Sequence, residues 1–71
     1  MLVDCFKDAD NSFKVYFCNA HKKHESIPET AQLVSSQPIE KWQCAPLYRS
    51  YNIFETIQNQ GVCIVDHNVK R

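Results

Sequence analysis

The sequence has little glycine and no excess of charge of either sign, and each shortage removes a class of function. There is one glycine in 71 residues, whereas phosphate-binding loops need several to bring backbone N–H groups against a ligand. Eight Lys and Arg side chains balance eight Asp and Glu side chains, so the chain lacks the basic field that binds phosphate backbones. We therefore expect neither a nucleotide-dependent enzyme nor a nucleic-acid partner.

Long apolar runs and paired cysteines are also missing. No stretch reaches the roughly 18 apolar residues of a membrane span, and Asp4 and Lys7 interrupt the region where a signal peptide would be apolar. These features predict a cytoplasmic protein that makes no membrane contact. Thiols are kept reduced in that compartment, and no two of the four cysteines form a C-x-x-C pair, so we expect small apolar side chains rather than a disulfide framework.

The length allows one domain over residues 1–71. Two runs rich in β-formers, 2–7 and 13–19, flank a polar turn and predict an N-terminal β-hairpin. A loop centred near residues 11–12 would place Phe6 opposite Phe17 and Cys5 opposite Cys18. The face expected to turn towards the core would carry Phe6, Phe13, Val15 and Phe17, and the other face Val3, Cys5, Tyr16 and Cys18.

Three further segments complete the predicted fold. Residues 26–29 (Ser-Ile-Pro-Glu) match a capping box and predict a helix over about 27–35, whereas 38–45 fits either a helix or an extended segment. Leu47, Tyr51, Phe54 and Ile57 repeat at helical spacing, and Gly61 follows as the predicted C-terminal cap. Residues 62–65 predict a strand that is central or covered on both faces. The expected fold is a small α+β domain, with one to three short helices and a three-stranded antiparallel or mixed sheet.

The sequence gives little sign of a catalytic site. Cys44 precedes a predicted helix start, which can activate a thiol, but no histidine is identified as its base. The carboxylates fall at turns, helix starts and polar faces. We therefore expect no enzyme activity, no cofactor and no resident metal.

Two alternative functions, zinc binding and DNA binding, are also compatible with parts of the sequence. Cys18, His21 and His24 offer three possible zinc ligands within seven residues, although their spacing differs from that of standard zinc fingers. Residues 29–36 followed by 38–42 could form a helix-turn-helix, a DNA-binding regulator that would contact DNA through Gln37, Lys41, Gln43 and Arg49. The balanced charge disfavours this second alternative.

Binding to another protein is the favoured hypothesis. Trp42, Tyr48, Arg49 and Tyr51 fall within ten residues, and Trp, Tyr and Arg are the side chains enriched at binding hot spots. They predict a partner-binding surface on a small protein-binding module, an inhibitor or adaptor of a larger complex such as phages and mobile elements encode. The hairpin is also expected to leave one of its strands at an exposed edge, which would allow a homodimer through sheet pairing.

Overall fold

The computed structural model describes residues 1–11, 13–45, 48 and 51–67. The described residues form one antiparallel sheet with strand order β3-β1-β2-β4 and two short helices. The elements are β1 (Leu2–Lys7), β2 (Lys14–Asn19), β3 (Gln32–Pro38), α1 (Ile39–Cys44), α2 (Ile53–Gln60) and β4 (Val62–Asp66). The α+β class, the N-terminal hairpin and the C-terminal strand are confirmed, and the sheet has one strand more than the three predicted.

The hairpin forms, but its register is one residue away from the predicted one. Phe6 lies opposite Tyr16, and Cys5 lies opposite Phe17. The Asp8 side chain accepts hydrogen bonds from the backbone N–H groups of Asp10 and Asn11, and these bonds move the centre of the turn to Asn11. Because side chains alternate between faces, a shift of one residue transfers a whole strand's set to the other face.

The shift decides which β1 residues enter the main core. Val15 and Phe17 lie there as predicted, whereas Phe6 lies on the opposite face and Phe13 is 55% exposed. The main core lies between one sheet face and the helices α1 and α2. Its buried members are Val3, Cys5, Val15, Phe17, Ile39, Trp42, Ile53, Ile57, Cys63 and Val65.

A second, smaller cluster lies on the other face of the sheet. Ile27 and Ala31, from the connection between β2 and β3, pack with Phe6, Tyr16, Cys18 and Val62. This connection contains separate turns, in which Ile27 N–H donates to His24 O and Ala31 N–H donates to Pro28 O. The helix predicted over 27–35 is therefore wrong. Residues from Gln32 onward instead pair with β1, because tertiary context outweighs a local helix signal.

The two C-terminal predictions have mixed outcomes. Helix α2 ends at Gly61, whose φ of 82° is left-handed and whose N–H donates to Ile57 O, so the predicted cap is confirmed. Phe54 is exposed, while its neighbour Ile53 is buried. Strand β4 follows as predicted, but it lies at the sheet edge, not at the centre, and its Ile64 is exposed. Leu47, the first residue of the predicted helical repeat, lies outside the described residues.

Candidate functional site

Trp42, the first residue predicted to bind a partner, belongs to the core. It lies on α1 and is 9% exposed, and its indole N–H donates to Val3 O at 3.2 Å. Its ring meets the Phe17 ring edge-on, with centroids 5.1 Å apart. A tryptophan with its polar atom satisfied inside the protein offers little surface to a partner.

Tyr48 and Tyr51 pack beside this core and are half-buried. The Tyr48 ring lies 5.0 Å from Phe17 and 5.5 Å from His67, and Tyr51 lies 6.1 Å from the same histidine. Burial raises the pKa of the Tyr48 hydroxyl. The fourth predicted residue, Arg49, lies outside the described residues. The described aromatic side chains of the set therefore pack at one end of the core, where Tyr48 and Tyr51 stay partly exposed.

The ligand set of the zinc alternative is not brought together. Cys18 is fully buried in the second cluster, and burial raises the pKa of its thiol, whereas His21 is exposed. His24 Nδ1 accepts a hydrogen bond from the Ser26 backbone N–H. Within residues 1–11, 13–45, 48 and 51–67, no three His, Cys, Asp or Glu side chains are placed to hold one metal ion.

The helix-turn-helix alternative fails on its first helix. The segment proposed for that helix forms turns and then strand β3, with Gln37 in the strand. Lys41 and Gln43 do lie exposed on α1, but this helix has six residues and no preceding helix to set it against DNA. The motif was suggested by a capping box that tertiary strand pairing overrides.

The described cysteines show no activated thiol. Cys5, Cys18 and Cys63 are buried, and burial raises the pKa of the Cys5 thiol to about 11, so the nucleophilic thiolate is scarce at neutral pH. Cys44 is exposed, but it is the last residue of α1 and does not lie at a helix start. This position therefore does not supply the helix N-terminus that was expected to activate the thiol.

An open depression of about 700 Å³ lies where β2 ends and the chain leaves α2. Lys22, Lys23 and Glu25 line it together with Gln58 and Gln60. The three charged side chains are exposed, and ligand sites usually bury most of their ligand's surface among apolar side chains. The depression therefore lacks the enclosure that small-molecule recognition needs.

The most distinctive surface in the described residues is the free edge of β3, meaning the side of Gln32–Pro38 that faces away from β1. Leu33 is 56% exposed and Val34 is 59% exposed, and the strand carries no charged side chain. Natural proteins protect edge strands with charges, prolines and bulges. The pairing of β3 with β1 shifts its register between Cys5 and Phe6 of β1. Strand β3 also has a proline at its end, but it has no charged side chain.

Backbone geometry shows which groups the free edge presents. Ile39 N–H donates to Met1 O, so Met1 and Ile39 form a hydrogen-bonded pair of the β1–β3 ladder. Hydrogen-bonded and non-hydrogen-bonded residue pairs alternate along an antiparallel ladder. Asp4 and Ser36, three positions further along the register, therefore form a non-hydrogen-bonded pair. The Ser36 N–H and C=O therefore point away from β1. The same alternation directs Pro38 outward, which is a position where a proline removes no hydrogen bond of the sheet.

Sequence reasoning missed this edge, although one signal for it was present. Residues 32–37 (Gln-Leu-Val-Ser-Ser-Gln) contain neither a charge nor a glycine, and such a run is compatible with a strand. The capping box at 26–29 favoured a helix, so the first part of this run was predicted to be helical. Side-chain hydrogen bonding supports the strand, because Ser36 Oγ donates to Asp4 Oδ1 across the β1–β3 pair.

Comparison with known proteins provides no family for this chain, since no family model, curated protein or solved structure matches it. In the part of the chain that the structure describes, neither helix is long and apolar enough to cross a membrane.

Proposed function

We propose that this protein is a protein-binding module, and that it binds an extended segment of another protein chain along the free edge of β3. The observation that carries the proposal is that β3 is an uncharged edge strand whose Leu33 and Val34 are more than half exposed. Paired on one side only, this strand can accept a further strand on the other.

Strand addition suits a domain of this size. The backbone groups of the edge supply hydrogen bonds without requiring a preformed cavity, and the alternating side chains of the strand supply contacts on both faces. The depression beside α2 is open and does not supply such a cavity. A small chain that acts in this way would occupy its partner's surface, as an inhibitor or adaptor does.

A cytoplasmic location is part of this proposal. Cys5, Cys18, Cys44 and Cys63 are free thiols, and free thiols persist where the compartment is reducing. Three of them are buried in the two apolar clusters, where they act as small apolar side chains.

The test uses immobilised protein and a lysate of the source cells supplemented with an isotope-labelled copy of the same chain. Wild type is compared with Val34→Lys, which places a charge on the free edge, and with Phe54→Lys, which adds the same charge to an exposed apolar position on α2. We expect wild type and Phe54→Lys to retain the same chains. Val34→Lys should retain at least one of them about tenfold less, which corresponds to about 1.4 kcal/mol.

Two outcomes would overturn the proposed function. One is equal recovery of every captured chain, the labelled copy included, by all three proteins. The other is a wild-type protein that retains nothing above an empty support. Each variant is first checked for the wild-type circular dichroism spectrum, because an exposed substitution should change stability by no more than about 0.5 kcal/mol.

A further inference from the structure

We propose that the strand that binds at β3 is the β3 strand of a second copy of this chain. Two copies would pair antiparallel about a twofold axis, so that one sheet runs through both. This inference rests on the proposed function, because it names the chain that occupies the free edge. It also changes the location of the predicted dimer contact, since both hairpin strands lie inside the sheet.

Charge permits this pairing. In a twofold contact the same patch faces itself, so any charge near the axis would meet an equal charge. Strand β3 has no charged side chain from Gln32 to Pro38, and the whole chain has a formal net charge of zero. Neither the strand nor the molecule therefore repels a second copy.

The outward backbone groups also fit a second copy. Ser36 presents both a donor and an acceptor to the free edge, so a twofold axis at Ser36 gives each copy a donor for the other's acceptor, whereas the outward Pro38 offers only its carbonyl. All pairings within the sheet are antiparallel, and the proposed contact continues that pattern. It would also cover part of the exposed Val34 side chain in both copies, which removes apolar surface from water.

The other edge of the sheet is a poorer candidate. Strand β4 has five residues against seven in β3, and it includes the charged Asp66. Its one strongly exposed apolar side chain is Ile64. A self-pairing β4 would therefore carry a charge and offer less exposed apolar surface than β3.

The test is the mass of the purified, reduced full chain by sedimentation equilibrium. Wild type should form a dimer. Ser36→Pro removes the outward N–H in both copies and should raise the dissociation constant about tenfold or more. Ser36→Ala is the matched control, because it keeps the N–H and removes only the hydroxyl that donates to Asp4. It should stay within about threefold of wild type.

Two further variants keep the test decisive. Val34→Lys leaves the backbone intact and should also dissociate the dimer, so it decides the question if Ser36→Pro does not fold by circular dichroism. Ile64→Lys places the same charge on β4 and should leave the dimer intact. A dimer that Ile64→Lys dissociates and Val34→Lys does not would overturn the inference.

A wild-type chain that remains monomeric at about 1 mM would also overturn it. If that monomer still captured a different protein in a manner that depends on Val34, the inference would fail while the proposed function stood. If it captured nothing in that manner, both would fail. The two proposals are therefore separable in one set of variants.

Discussion

Gly61 connects α2 to β4 through a conformation that other residues adopt at a cost. Its φ is 82°, and a Cβ built on it would lie 2.8 Å from Cδ2 of His24. The sequence predicted this role correctly, because a lone glycine after a helical repeat is typical of a left-handed cap. The packing of His24 against it was not predictable, since the two residues are far apart in the chain.

Gly61→Ala is therefore expected to destabilise the fold by about 1–3 kcal/mol, because alanine must adopt the left-handed conformation and its methyl group would meet the His24 ring. The free energy of unfolding in urea, followed by circular dichroism, measures the effect.

Adding His24→Ala to Gly61→Ala should recover the part of the loss that comes from the ring contact, relative to His24→Ala alone. Gln60→Ala, at an exposed position one residue earlier, is the control and should be nearly neutral. A Gly61→Ala protein as stable as wild type would contradict this account of the cap.

Trp42 shows a different limit of single-residue reasoning. Its residue type suggested a binding hot spot, but its indole N–H finds a partner in Val3 O inside the core. A tryptophan can serve either purpose, and the choice depends on what lies opposite it. Here α1 is placed against the sheet by its two buried residues, Ile39 and Trp42.

At the scale of elements, the segment 20–38 differs most from its prediction. Its N-terminal part covers one face of the sheet with Ile27 and Ala31, and its C-terminal part becomes β3. The capping-box residues Ser26 and Glu29 are exposed, and they have no helix to cap. The local signal was present, but pairing with β1 and packing against the sheet outweighed it.

Two substitutions distinguish the covering segment from a capped helix. Ile27 is almost fully buried, so Ile27→Ala should cost about 2–4 kcal/mol by removing apolar contacts with the sheet. Ser26→Ala should cost less than about 0.5 kcal/mol, as expected for an exposed position away from a cap. Urea unfolding of both variants provides the measurement.

A helix cap at Ser26 would give a different result. Replacing a capping serine with alanine costs about 1 kcal/mol, so a loss of that size in Ser26→Ala would contradict the observed turns. The Ser26 backbone N–H, which donates to His24 Nδ1, is retained in the variant and does not complicate the comparison.

For the molecule as a whole, buried titratable groups predict how stability depends on pH. Burial raises the pKa of the Cys5 thiol from 9.0 to about 11. Burial, together with a hydrogen bond to Asp8, raises the pKa of the Tyr16 hydroxyl from 10.0 to about 12. Burial also raises the pKa values of Cys18 and Cys63. The folded chain therefore keeps these protons at pH values where the unfolded chain loses them.

These groups should therefore leave the free energy of unfolding unchanged below about pH 9. They should lower it as the pH rises from about 9 to about 12. At about 1.4 kcal/mol per pKa unit, Cys5 alone would account for a loss of roughly 2–3 kcal/mol by pH 11. Urea unfolding under reducing conditions at several pH values, followed by far-ultraviolet circular dichroism, tests this expectation.

Tyr16→Phe is the matched variant. It removes the hydroxyl and should show a smaller decline than wild type above pH 10, while the decline that begins near pH 9 remains. A free energy of unfolding that does not change between pH 8 and pH 11 would show that the thiols are less buried than the structure places them.

Local features of the sequence are enough to predict the α+β class, the hairpin, the last strand and the cap at Gly61. Each of these depends on local features, such as turn residues, β-formers in a run or a single residue with a free φ. Each of these features involves residues that are close together in the chain, so it can be recognised in the sequence. The zero net charge is also a property of the sequence alone.

The register of the hairpin, the strand at 32–38 and the burial of Trp42 became evident only from the folded structure. Moving the turn to Asn11 exchanged the faces of β1, because side chains alternate with a period of two. Strand β3 exists because β1 offers its second edge, an interaction between segments far apart in sequence. The candidate binding edge follows from that pairing, and the uncharged run at 32–37 was by itself compatible with a strand without indicating which strand it would pair with.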